Sequence, residues 1–146
     1  MQNFDGDALL AELGVAMGMD QLVFDSSGTC VLKLDEIVVS LQRQPAAICL
    51  SAFVANLPGA SKSSFLEQLL AANLFWNTTQ GCTLALEPDT RSLLLHHRFD
   101  ACTGLPEAQA RLSTLVDAAE SLRKLVWASV PAVGNLSPDR GFRRDL

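Results

Sequence analysis

The sequence predicts an α+β fold of order α-β-β-β-α-β-β-α, with an antiparallel sheet packed by helices. Three observations predict it. Apolar residues recur at helical spacing near both ends of the chain. Between them the spacing shortens to strict alternation, the period of a strand. The alternating runs follow one another through short polar turns, which reads as a meander and not as βαβ units.

The first helix spans roughly Asp7 to Met17, with Leu9, Leu10, Leu13, Ala16 and Met17 on one face. Asp5 or Asp7 suits its start and Gly18 its stop. Leu22 to Phe24 is expected to form a short strand before the turn Asp25-Ser26-Ser27-Gly28. Thr29 to Leu34 and Ile37 to Gln42 alternate and are joined by the polar Asp35-Glu36 turn. Gln44-Pro45 breaks the run. Ala47 to Asn56 is apolar on both faces, which predicts a central or doubly covered strand.

Pro58-Gly59 ends the meander, and a second helix is expected over Phe65 to Phe75. Ser64 and Glu67 have the spacing of a capping box at its start. Two further strands, Cys82 to Glu87 and Ser92 to Phe99, are joined as a hairpin by Pro88 to Arg91. The last helix runs from about Pro106 to Trp127. Its apolar stripe is Leu105, Ala108, Leu112, Leu115, Val116, Ala119, Leu122 and Val126. Arg123 and Lys124 near its end suit the helix dipole. From Pro131 onward Gly, Pro, Asn and Arg dominate, which predicts a flexible tail over 131–146 after a domain over 1–130.

A chain of 146 residues fits one domain and needs neither disulfide nor metal to build a core. The formal charge is −5, and the last sixteen residues hold three Arg and two Asp, so the rest carries −6. An acidic body repels phosphate backbones and anionic lipid surfaces, which argues against nucleic-acid and membrane partners. No apolar run reaches the length of a membrane span, and MQNFDGD lacks a basic n-region, so a cytoplasmic location is expected.

No motif carries chemistry, so no catalytic residue, metal site or cofactor is expected. Cys30, Cys49, Cys82 and Cys102 are spaced by 19, 33 and 20 residues, with no CxxC pair. His96 and His97 are adjacent on a predicted strand and point to opposite faces, so they cannot share one metal. There is no phosphate loop and no GxGxxG turn. The carboxylate pairs Asp35-Glu36 and Glu87-Pro88-Asp89 sit at turns, where solvated acids are common. A Cys–His catalytic pair is conceivable, for example Cys82 with His96 or His97 across the hairpin.

The segment Phe65 to Trp76 is apolar around nearly its whole circumference, with only Glu67, Gln68 and Asn73 polar. One side can face the chain's own sheet; the other needs a second cover. Either the chain folds over it or a second copy does, and so small a domain has few layers to spare. Phe65, Leu66, Leu69, Leu70, Phe75 and Trp76 are therefore the candidate homodimer interface.

The run Leu69-Leu70-Ala71-Ala72-Asn73-Leu74-Phe75 resembles the "LL..N" helix end of the class I type III secretion chaperones, the Tir-chaperone-like family. The hairpin from Gly81-Cys82-Thr83-Leu84-Ala85-Leu86 to Leu93-Leu94-Leu95 follows it as in that family, and the Asp25-Ser26-Ser27-Gly28-Thr29 turn before a strand also fits. The resemblance runs from the first helix to about Trp127; the tail is less typical of the family. It implies a bacterial, cytoplasmic homodimer without ATPase activity that binds the N-terminal, non-globular region of a secreted effector and keeps it export-competent.

Such a chaperone needs apolar area for its client beside an acidic surface. Leu9, Leu13 and Met17 are candidates for a groove wall, and Val31, Val38 and Leu94 for shallow pockets; the three helix residues are also ordinary core candidates. Three other functions fit the same sequence: a regulatory protein that sequesters a partner through this fold, a small cysteine-dependent enzyme, and a structural subunit of a hetero-oligomer.

Overall fold

The computed structural model describes residues 4–20, 22–59, 63–100 and 102–129. The elements are α1 (Gly6–Ala16), β1 (Thr29–Leu34), β2 (Ile37–Gln44), β3 (Ala47–Asn56), α2 (Ser63–Ala71), a 3-10 turn (Leu74–Trp76), β4 (Thr83–Glu87), β5 (Ser92–Asp100) and α3 (Leu105–Ser129). The α+β order is the expected one. The flexible tail expected over 131–146 lies outside the described residues.

The five strands form one antiparallel sheet in the order β1-β2-β3-β5-β4. β3, mostly apolar on both faces, is central, as expected. One sheet face carries Leu32, Ile37, Val39, Leu41, Ile48, Leu50, Leu95 and Phe99 against buried residues of α1 and α3, which together make the core. The opposite face carries the cross-strand row Val31, Ser40, Ser51, His96 and Thr83. β3 has a bulge at Val54, because Phe53 pairs with Leu94 and Ala55 with Leu93.

Local chemistry sets the boundaries. The Asp5 carboxylate accepts from Ala8 N at 3.0 Å and caps α1. The Asp25 carboxylate accepts from the amides of Ser27 (2.9 Å) and Thr29 (3.0 Å), closing the turn into β1.

Three expectations are corrected. Leu22 to Phe24 forms no strand: Leu22 turns back against Gly14 of α1 and Val23 is exposed. A Cβ on Gly14 would meet Leu22 Cγ at 2.7 Å, and Phe24 lies under the Arg43 guanidinium, 5.4 Å from the ring centroid. The second helix begins at Ser63, which puts Ser64 inside it and not at the cap, and it stops at Ala71. Arg123 does not serve the end of the last helix, because α3 runs on to Ser129: it is buried, and its guanidinium serves the sheet.

Candidate functional site

Two open apolar surfaces lie at opposite edges of the sheet. The first is at the β4 edge. Asn73 N donates to Leu70 O at 3.1 Å, a tightened final turn, and the Asn73 side chain then joins β4. Its Oδ1 accepts from Leu84 N at 2.7 Å and its Nδ2 donates to Leu84 O at 3.1 Å. Phe75 and Trp76 follow with φ of 57° and 56°, the left-handed region that bulky residues rarely occupy. The Trp76 indole N–H donates to Thr83 Oγ1 at 3.3 Å, so the chain wraps from the helical face over the edge of the sheet.

This geometry divides the candidate dimer residues. Phe65 and Leu69, with Ala72, turn inward against the core. Leu66 borders solvent, and Leu70, Phe75 and Trp76 are 74%, 75% and 53% exposed. Leu74, which sequence reasoning missed, is exposed beside them. The segment that is apolar all round thus buries one side in its own fold and leaves the other open. A cleft of about 140 Å³ between α2 and β4, lined by Leu57, Leu66, Leu70, Leu84, Leu86 and Leu93, extends the apolar surface.

The second surface is at the β1 edge. Met17, Leu34, Leu112 and Val116 line a cleft of about 300 Å³ between the end of α1, the β1–β2 turn and α3. Asp35 and Asp117 supply its charge, with Gln109 and Ser113 as neutral polar lining. Of the candidate client residues, Met17 reaches this cleft. Leu9 and Leu13 are buried in the core. Val31 and Val38 are half-buried on the far face of the sheet, and Leu94 is buried there beside Phe53. Leu34, Leu112, Val116 and Asp117 were missed, because nothing in the spacing of β1 and α3 tells which of their residues meet across the fold.

A model of the Tir chaperone protein (CesT) family matches residues 8–123. The chain belongs to that family. No curated relative matches the sequence. Solved structures share the fold: a chain of the ExsC–ExsE complex is 25% identical over 82% of this chain and 91% of its own, with a TM-score of 0.70. A chain of the HopA1–SchA chaperone–effector complex is 19% identical, covering 80% and 91%, with a TM-score of 0.68. A chain of the complex between the Yersinia pestis type III secretion chaperone SycH and a stable fragment of YscM2 is 24% identical, covering 80% and 98%, with a TM-score of 0.63.

The CesT-family match spans both surfaces, from α1 through most of α3. Burial pushes the Cys82 thiol up to about 11, so it stays protonated at neutral pH and is a poor nucleophile. Burial also raises the Cys30 thiol. His96 Nδ1 lies 3.1 Å from Ser51 Oγ, and burial lowers its basicity. Burial and the nearby Arg111 lower His97. Among the described residues no three His, Cys, Asp or Glu converge to hold a metal ion. No helix of the described residues is long and apolar enough to cross a membrane.

Proposed function

We propose that this CesT-family chain is a cytoplasmic homodimeric chaperone of type III secretion. It binds the N-terminal, non-globular region of a secreted effector, keeps it soluble and export-competent, and catalyses no reaction. The observation that carries the proposal is the placement of two open apolar surfaces at opposite edges of one sheet. A two-fold contact through the β4 edge leaves the β1-edge cleft of each copy outward and available. The apolar lining of that cleft, with Asp35 and Asp117 as its charged groups, suits a segment carrying apolar and basic side chains. Structurally similar chains occur in complexes described as chaperone–effector or as a secretion chaperone with a partner fragment.

The test joins two measurements. Sedimentation equilibrium of the purified chain at micromolar concentration should give a dimer of about 31 kDa, twice the 15.7 kDa chain. Co-expression with the N-terminal region of a secreted protein from the same cell, followed by limited proteolysis, should protect one contiguous client segment. Monomers of 15.7 kDa alone refute the dimer. No protected segment with any secreted protein of that cell refutes the chaperone reading.

A further inference from the structure

Asn73 gives its whole side chain to Leu84: the amide oxygen takes the Leu84 N–H at 2.7 Å and the amide nitrogen donates to the Leu84 carbonyl at 3.1 Å. This is the paired exchange that a neighbouring antiparallel strand would make. It closes the middle of β4, which is an edge strand. On the far side of the turn, Gly81 N donates to Trp76 O at 2.9 Å. Between these two anchors Phe75 and Trp76 both hold positive φ.

Left-handed backbone at bulky residues is unfavourable and persists only where its surroundings enforce it. Here the enforced conformation leaves Phe75 75% and Trp76 53% exposed, beside Leu70 and Leu74. Two aromatic rings held in water by a strained backbone contribute little to the fold of their own chain. From Gln68 to Leu86 there is no charged residue, in a chain of net charge −5. An uncharged aromatic face suits a second copy of the same acidic chain, because contact there brings no like charges together.

We infer that Asn73 is the positioning residue of the subunit contact: its grip on Leu84 fixes the turn that presents Phe75 and Trp76 to a second copy. The inference rests on the homodimer reading above. Asn73 acts through the rings and not by touching the partner. Removing its amide therefore matters only while there is a ring to place.

The experiment is sedimentation equilibrium on the full chain and its Asn73→Ala, Phe75→Ala and Asn73→Ala/Phe75→Ala variants. Asn73→Ala frees both backbone groups of Leu84 and should weaken the dimer roughly tenfold or more. Phe75→Ala should weaken it comparably. In the double variant the two losses should combine to less than their sum, because once Phe75 is gone Asn73 has only Trp76 left to place. Val39→Ala, which loosens the core far from the turn, should leave the dimer constant within about twofold. Asn73→Asp keeps the acceptor for Leu84 N but faces the Leu84 carbonyl with a second oxygen. It should behave as Asn73→Ala does, and it takes that variant's place if Asn73→Ala does not fold. A wild-type chain that is monomeric overturns the homodimer reading and this inference together. A wild-type dimer whose constant is unmoved by either Asn73 variant, or is moved additively with Phe75→Ala, overturns the role of Asn73 alone.

Discussion

Arg123 donates from Nε to the carbonyl oxygen of Val54 at 3.1 Å, joining α3 to a residue 69 positions earlier. Val54 is the bulged residue of β3, so its carbonyl falls out of the strand ladder and needs another donor. The same guanidinium donates from Nη1 to Glu36 O at 3.1 Å, in the β1–β2 turn, and lies 5.9 Å from the Trp127 ring centroid. Its remaining Nη2 has no partner among the described residues. Burial lowers the Arg123 pKa, against the opposing pull of Glu36 and Glu120.

Arg123→Ala should therefore destabilise the fold by about 2 kcal/mol, the usual cost of leaving a buried acceptor unpaired. Arg123→Lys should recover only part of that, since one ammonium lacks the fork that reaches two carbonyls. Urea unfolding followed by circular dichroism measures both. An Arg123→Ala midpoint equal to wild type would contradict the assignment.

Leu13 and Leu70 separate the fold from the surface. Leu13 is fully buried, and Leu13→Ala should lose about 3 kcal/mol. Leu70 is 74% exposed in the single chain, so Leu70→Asp should leave the folded chain intact and act on association. The pair is read by denaturation and by sedimentation on the same preparations. Loss of folded structure in Leu70→Asp would show that α2 is buried within the chain.

The histidines set a pH window. Burial lowers His96 in the folded state, so below the ordinary value of 6.5 the unfolded chain takes up the proton first. Stability should then fall as pH drops below about 6.5, with His97 acting in the same direction. The lowered carboxylates Asp100 and Glu87 act at lower pH, which leaves the range between pH 5 and about 7 to the histidines. His96→Gln should flatten the loss of stability measured by urea unfolding from pH 7 to 5. An unchanged slope would mean that His96 does not contribute.

The β1-edge cleft makes an electrostatic prediction. Replacing Asp35 and Asp117 with Asn should weaken client binding and reduce its dependence on salt, because the removed charges are those that line the cleft. Isothermal calorimetry at two ionic strengths reads both effects. A salt dependence identical to wild type would place the client elsewhere.

Thiol labelling gives an order. Cys102 is exposed and should react first, and the half-buried Cys49 next. Cys30 and Cys82, buried and raised in pKa, should react only on unfolding. Fast labelling of Cys82 in the native protein would revive the enzyme reading.

What the sequence determined by itself was whatever depends on neighbours in the chain. Alternation at Ile37, Val39 and Leu41 dictates a strand with a buried face, and Asp25 closes a turn on amides within four residues, while an acid at Asp5 or Asp7 marks the start of α1. The largely apolar character of both faces of Ala47 to Asn56 dictates a central strand for the same reason: neither face is a solvated polar one. The helical stripe of α3 was likewise legible, since a 3.6-residue period fixes which residues share a face. Tertiary structure decided what depends on distant partners. Asn73 stands in the sequence as the end of the "LL..N" run and shows no partner until Leu84 is beside it, and Arg123 as a charge suited to a helix end until the Val54 bulge is beside it. The division of one apolar segment into inward Phe65 and Leu69 and outward Leu70, Phe75 and Trp76 was also beyond the sequence. Periodicity assumes a continuous helix, whereas the pairing of Asn73 with β4 ends this one and turns the next residues over the edge of the sheet.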